Sequence, residues 1–417
     1  MRVLWITNLP LPDAQEALFH TKQSKEGWLV QLAILLSSSP GISLYIASRV
    51  PALKEERQFE IGNIHYYCFP GTYVNGVELQ EYWTRCYSSI KPDIVHIQGT
   101  ECNHSAQFVK ACPNAKTVVS IQGLVSVISR YYYGGIPEKV LQKYQSLYRR
   151  IKGLSMARCY QSMCKAAESE KYIIQHVKYV IGRTEWDKNH VFLINPNIEY
   201  YIGNETMRPM FYTNRWTYEK CDPHTIFVTQ GLVPYKGFHQ VLKSMAIVKK
   251  TFPDVKLRVA LVPEIKAPLR WRSRIMAGEY QMYLRNLVKQ FDLIDNIEVL
   301  GVLSEAEMVS AMLSSNIFVS PSAIENSPNS LCEAQLLGMP AVASYVGGTP
   351  TIADDGKATK LYRYEEYDML ASHILMVFNG LLDTKQLNYA RDLAFTRNNA
   401  SRNVVGLINI YKEIYAK

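Results

Sequence analysis

At 417 residues and 47% apolar composition, the chain is longer than a single hydrophobic core usually grows, so two domains are expected, each able to bury its own core. The formal net charge is +9, from 46 Lys and Arg against 37 Asp and Glu, which suits a nucleotide phosphate, a nucleic acid or an anionic membrane face; the basic residues are spread along the chain without an RNP, helix-turn-helix or zinc-finger pattern, so no nucleic-acid partner is expected. The 8 cysteines show no CxxC pair, the opening MRVLWITNLPLPD turns polar too early for a signal peptide, and no run is long and apolar enough to cross a membrane, which together predict a reduced, cytoplasmic protein.

In chain order, VLWIT (3–7) reads as a short buried strand and EGWLVQLAILL (26–36) as the helix after it. Strands follow at 41–48, 65–69, 93–98, 116–121 and 179–183, with helical patterns at 78–90, 137–175 and 186–194. These strands are β-branched and apolar rather than alternating, the mark of a parallel sheet covered on both faces. Residues 195–224, rich in Asn, Pro and Tyr, lose the periodicity and read as a hinge. The pattern then restarts with strands at 225–231, 255–262, 297–301, 316–322 and 340–345 alternating with helices. The fold class is therefore α/β, with two doubly wound domains whose functional groups belong in loops at the carboxyl ends of strands.

Several such loops carry chemistry. ENSPNSLCE (325–333) separates a strand from a helix; Ser330 and Glu333 have the spacing of a capping box, and Gly338 and Pro340 end the helix. Glu325 precedes that helix and has no such local role. GLVPYKGF (231–238) places Lys236 beside a helix start, either solvated in a proline turn or favourable for a phosphate. VGGTP (346–350) has two glycines that allow close backbone approach, and Gly27 is a single permissive position at a helix head. In VIGRTEWDKNH (180–190), Arg183 is placed to meet an anion, while Glu185 fits equally the first turn of a helix. His96 reads as a core histidine and His104 as better placed in a cleft. The basic stretch KAPLRWRSR (266–274) is either a solvated loop or a contact for an anionic surface. No P-loop, no GxGxxG, no HExxH and no DxD pair occurs in these loops, which argues against ATPase, dehydrogenase and metal-dependent readings.

Taken together, GLVPYKGF, the run from GVLSEAEMV to GMPAVAS, and VGGTP closely resemble the donor-binding domain of glycosyltransferase family 4, retaining enzymes of the GT-B fold within the glycogen-synthase-like superfamily; Glu325 and Glu333 match its paired-glutamate signature in register. The resemblance implies two Rossmann-like domains facing each other across a cleft: an acceptor domain at 1–205, a donor domain at 206–395, and a terminal helix at 396–417 that crosses back to the first. It implies that Glu325 contacts the transferred sugar, that Glu333 takes the ribose hydroxyls, and that Lys236 neutralises the diphosphate. The backbone of Asn326, Ser327, Pro328, Asn329 and Ser330 would hold sugar and diphosphate, with Gly27 matching part of a glycine loop facing the phosphate.

Two positions depart from the family pattern. Gly231 stands where an arginine is common, leaving a diphosphate charge for another cation such as Arg183, and Gln122 stands where a histidine is common, able to hydrogen-bond a sugar but not to act as a base. The expected activity is that of a hexosyltransferase moving a sugar from a nucleotide-diphosphate sugar to a glycan or lipid-linked acceptor in surface polysaccharide or lipopolysaccharide assembly, without metal or other cofactor, at the inner face of an anionic membrane. The alternatives are transfer to a small cytosolic acceptor and a non-catalytic sugar-nucleotide-binding subunit.

Overall fold

The computed structural model describes residues 1–20, 27–73, 76–268 and 270–417. The chain divides into two compact units: Met1–Val127, Cys164–Arg208 and Asn398–Lys417 form the first, and Ile128–Met163 with Pro209–Arg397 the second.

The first unit is built on an eight-stranded sheet. Its strands are β1 (Arg2–Thr7), β2 (Ser43–Val50), β3 (Arg57–Ile61), β4 (Ile64–Pro70), β5 (Ile94–Gln98), β6 (Thr117–Ser120), β7 (Tyr179–Gly182) and β8 (Glu199–Ile202), in the spatial order β3-β4-β2-β1-β5-β6-β7-β8. The β3–β4 pair is antiparallel; β1, β5, β6 and β7 lie parallel in the middle. Buried side chains on alternate faces of β1 feed separate cores, Leu4 and Ile6 on one side, Val3 and Trp5 on the other. Helices cover both faces, which is why these strands are apolar throughout.

The second unit holds a six-stranded parallel sheet, β9 (Thr225–Gln230), β10 (Lys256–Leu261), β11 (Ile297–Val299), β12 (Ile317–Ser320), β13 (Ala341–Ser344) and β14 (Lys360–Tyr362), in the order β11-β10-β9-β12-β13-β14. The order reverses between β9 and β12, so the loops after these two strands sit side by side at a topological switch point. Strands β3, β8 and β14 carry no signal in the sequence reading: all are edge strands, and β8 lies within the stretch read as a hinge. Much of that stretch is packed rather than free, since Trp216 is 6% exposed and its Nε1 donates to the carbonyl of Ser315 at 2.9 Å.

Two expectations about chain order need correction. The helical run at 137–175 is three helices, Glu138–Gln142, Leu147–Ile151 and Met156–His176, broken where Gly153 takes a φ of +66°. Moreover, residues 128–163 belong to the second compact unit, not to the first domain in which the boundary at 205 placed them. Ile136 and Leu141 are buried in one core with Phe238, Tyr280 and Leu284 of the second unit. The carbonyl of Gly134 accepts from Tyr364 OH at 2.7 Å and from His239 Nε2 at 3.0 Å; burial holds His239 neutral, with its pKa near 3. A Cβ on Gly134 would lie 2.2 Å from the carbonyl oxygen of Pro234, so the first glycine of the RYYYGG pair permits close docking against the turn that carries Lys236. The last helix, Ala400–Ala416, places Val404, Leu407, Tyr411 and Ile414 in one core with Val3 and Trp5.

Candidate functional site

The side-by-side loops after β9 and β12 bring Lys236 and Glu325 together. After β9 the chain turns through a single 3-10 turn, Pro234–Lys236, and Gly237 at φ +70° redirects it into the helix Phe238–Thr251. A Cβ on Gly237 would lie 1.7 Å from the carbonyl oxygen of Pro321, and Ala323 N donates to Tyr235 O at 2.8 Å. Only glycine permits that approach, and the approach sets Lys236 against the loop after β12. There, Lys236 Nζ meets Glu325 Oε1 at 2.5 Å, with side-chain exposures of 21% and 18%, and Ser322 Oγ donates to the same oxygen at 2.7 Å. Burial alone disfavours the ammonium charge, but the Glu325 carboxylate more than offsets it and holds the Lys236 pKa above the ordinary lysine value. The sequence reading gave these two residues separate tasks; here each is the other's charge partner.

Glycines after β13 complete the frame around Glu325. Gly348 N donates to the Glu325 carbonyl at 2.9 Å, and a Cβ on Gly347, at φ +51°, would stand 2.0 Å from that oxygen. The close backbone approach expected for VGGTP is thus to the Glu325 loop itself.

The helix that follows runs from Asn329 to Leu337, with Pro328 as N-cap and no side-chain cap. The expected capping box is therefore not formed: Ser330 lies one residue inside the helix, and Glu333 lies in its second turn, 6% exposed. Gly338 ends the helix at φ +73°, as read. Asn326 and Pro328 are buried and Ser327 half-buried, while Asn329 Oδ1 is a buried acceptor without a hydrogen-bond partner. Leu331 N bonds back to Pro328 O at 3.0 Å, which leaves the N–H groups of Asn329 and Ser330 without intrahelical partners; they and the orphan Asn329 oxygen follow directly on the loop whose Glu325 meets Lys236. Such a set matches a ligand with anionic oxygens and hydroxyl groups.

Gly231 follows β9, its N–H bonded to Leu261 O at 2.6 Å. A Cβ there would lie 2.6 Å from the Cβ and 2.5 Å from the Cγ of Phe238, a fully buried ring. No side chain fits this position while Phe238 stays in place, so an arginine is absent for a packing reason.

The remaining sequence candidates lie in the first unit. Arg183, after β7, is buried and ion-paired with Glu205, with side-chain exposures of 7% and 6%, so its charge is already matched within its own unit. Glu185 opens the helix Glu185–Ile194, whose N-cap Thr184 accepts from Asp187 N; the first-turn reading holds. Gly27 is the first residue of the helix Gly27–Ser37, and residues 21–26 before it lie outside the described residues. His96 is a core residue as read, its Nε2 at 2.7 Å from Ser120 Oγ. His104 is not in a cleft: it is 4% exposed, packs edge-on against Phe69, and burial lowers its pKa to about 4.

Gln122 belongs to a group that the sequence reading did not assemble. A Cβ on Gly99, at φ +99° beyond β5, would meet Glu101 Oε2 at 2.3 Å, Asn8 Nδ2 at 3.0 Å and Gln122 Cγ at 3.1 Å. These side chains converge from the carboxyl ends of β1, β5 and β6. Asn8 Nδ2 donates to Glu101 Oε2 at 2.8 Å, and burial raises the Glu101 pKa from 4.5 to about 7. Glu101 was overlooked because GTECNHS carries no motif; its position directly after a buried strand was the available signal. Glu170 anchors the neighbouring loop, accepting from Thr100 Oγ1 at 2.7 Å and from Val125 N at 2.8 Å.

Two doubly wound α/β sheets with this strand order, parallel apart from the β3–β4 pair, define a GT-B-fold protein. The chain superposes on sucrose-phosphate synthase from Thermosynechococcus elongatus with a TM-score of 0.72 at 14% identity, covering 100% of both chains, and on Anabaena HepE in complex with UDP-glucose with a TM-score of 0.66 at 12% identity, covering 99% of this chain and 100% of that one. Residues 213–391 match the family described as glycosyl transferases group 1. It is 28% identical over 171 residues to the putative colanic acid biosynthesis glycosyltransferase WcaL of Salmonella typhimurium, 37% of this chain and 42% of that protein. The chain spans less than half the length of the curated relatives it matches.

Proposed function

We propose that the protein is a retaining glycosyltransferase that moves a hexose from a nucleotide-diphosphate sugar to a glycan or lipid-linked acceptor in surface polysaccharide assembly. The observation that carries this reading is the Lys236–Glu325 pair beside the start of the helix Asn329–Leu337. When the C1–O bond breaks, its electron pair passes to the diphosphate oxygen and positive charge develops on the sugar ring. The Lys236 ammonium and the helix N–H groups favour the first, and the Glu325 carboxylate the second. Because Lys236 and Glu325 begin as partners, a diphosphate drawing on the lysine loosens its hold on the glutamate as the ring becomes cationic, so the interaction strengthens towards the transition state. The acceptor oxygen forms the new bond on the face the diphosphate leaves, and its proton passes to the departing phosphate. No side chain is a covalent nucleophile, and Lys236 carries the charge balance expected here without a metal.

Glu333 takes the ribose hydroxyls in this reading, and the UDP-glucose bound to the structural neighbour supports a uridine diphosphate sugar as the first donor to test. The relative named for colanic acid biosynthesis supports the polysaccharide context. In the first unit, Glu101 is a carboxyl able to exchange a proton near neutral pH. The experiment is a panel of nucleotide sugars with oligosaccharide, lipid-linked and small acceptors, read by mass and by the anomeric proton signals of the product. The second reading, a sugar-nucleotide-binding subunit without transfer, is favoured by the packing of Phe238 that bars a cation at Gly231. Tight donor binding with neither transfer nor hydrolysis across the panel would establish it and sink the first.

A further inference from the structure

Two short helices of the second unit leave large apolar side chains in water. Leu147–Ile151 exposes Leu147 (71%), Tyr148 and Ile151 (73%), and Trp271–Met276 exposes Trp271 (69%), Ile275 and Met276. They are far apart in sequence but joined in space. Ser146 Oγ donates to Ile275 O at 2.7 Å, and Arg149 Nη1 donates to Met276 O at 3.0 Å. Isolated exposed apolar residues are ordinary; a contiguous set on two adjoining helices marks an interaction surface.

The surroundings of this surface are cationic. Arg150, Lys152, Arg270 and Arg274 flank it and are exposed. Beside it opens a cavity of about 550 Å³ lined in part by Lys266, Arg274, Arg285 and Lys289. The nearby carboxylates are fewer than these cations and offset only part of that charge. Asp292, in the same cavity, already pairs with Lys249 at 3.1 Å; Glu279 is buried against Arg149 at 3.6 Å; and Glu264 turns its carboxylate to the N–H groups of Lys266 and Ala267, both at 2.8 Å.

We infer that the paired helices Leu147–Ile151 and Trp271–Met276, with the adjoining basic cavity, form a docking surface for an anionic phospholipid bilayer. The aromatic and aliphatic side chains enter the headgroup boundary, and the lysines and arginines meet lipid phosphates. Charge complementarity selects this occupant: an apolar protein partner would leave the basic ring unmatched, and a free phosphate would leave the apolar side chains in water. The segment 128–163 contributes half of the surface and also docks against the turn that carries Lys236. The inference stands apart from the transfer reaction, because vesicle binding requires neither donor nor acceptor.

The test is co-sedimentation of the full chain with vesicles of phosphatidylcholine alone and of phosphatidylcholine with phosphatidylglycerol, with UDP binding measured in parallel. Wild-type protein is expected to pellet with the anionic vesicles, to remain in solution with the neutral ones, and to be released by salt. The double change Ile151→Glu and Trp271→Glu is expected to lower partition roughly tenfold or more, and Arg274→Glu roughly fivefold or more, with UDP binding unaltered because these residues are exposed and outside the Lys236–Glu325 site. Wild-type protein that stays in solution with both vesicles, variants that partition as wild type does, or self-association through the patch without vesicle binding would each overturn the inference. Failure of the donor reading would show separately, as loss of UDP binding by the wild-type chain.

Discussion

Replacing Glu101 by glutamine removes a carboxyl that burial keeps protonated up to about pH 7. Burial is the main cause of its raised pKa, which moves from 4.5 to about 7, and the hydrogen bond from Asn8 only partly offsets it. The sign follows from the proton balance. Below the unfolded value both states bind the proton, and the group is indifferent to folding. Between the two values the unfolded chain ionises while the folded one does not, so stability falls as pH rises. Above the folded value the loss reaches its full size, about 3 kcal/mol for a shift of this magnitude. Glutamine has the same shape and does not ionise. The variant should therefore exceed wild type by about 1 kcal/mol at roughly pH 5 and about 3 kcal/mol at roughly pH 8, the latter on the order of 5–10 °C in the melting temperature of the first unit. Calorimetric unfolding of both proteins at the two pH values reads this directly, and pH dependence from other groups cancels in the comparison. A margin that stays flat, or that shrinks towards alkaline pH, would show that the Glu101 carboxyl is well solvated and the reasoning mistaken.

Glu325→Gln should cut transfer roughly a hundredfold while leaving UDP affinity equal or tighter, since it frees the Lys236 ammonium; weaker UDP binding by isothermal titration would contradict the pairing. Lys236→Ala should weaken UDP binding by about 1–3 kcal/mol through loss of charge-assisted bonds, and an unchanged dissociation constant would remove Lys236 from the phosphate site. Glu333→Ala should weaken uridine and UDP together, by roughly tenfold or more, whereas a loss confined to the intact nucleotide sugar would assign Glu333 to the sugar instead. Gly231→Ala should destabilise the second unit by about 1–3 kcal/mol, because its new methyl meets the Phe238 ring; a melting temperature equal to wild type would dismiss that packing as the reason for the missing arginine.

Much of the fold was legible because parallel sheets covered by helices leave a strong imprint. The apolar run IFV occurs at 226–228 and again at 317–319, is buried on both faces, and lies in β9 and β12. The strands that were missed, β3, β8 and β14, are edge strands with weaker patterning. The positions of Lys236 and Glu325 at two strand ends were readable from the glycines and prolines around them, but their pairing was not. The capping box does not form because the N-cap is Pro328, two residues before Ser330, and a local motif cannot tell which residue first adopts helical geometry. His104 was misplaced because its neighbours in sequence do not include Phe69, the ring that buries it.

The amino-acid sequence by itself determined the α/β class and the strand-end loops that hold Lys236 and Glu325, since these follow from the apolar runs of buried strands and the turn residues after them. Tertiary structure decided everything that depends on residues distant in the chain. It joined Lys236 to Glu325, closed Gly231 against Phe238, gathered Asn8, Glu101 and Gln122 around Gly99, and moved residues 128–163 onto the second core. Charge pairing, steric exclusion and burial act through space over a few ångströms, and only a folded chain defines which groups come that close.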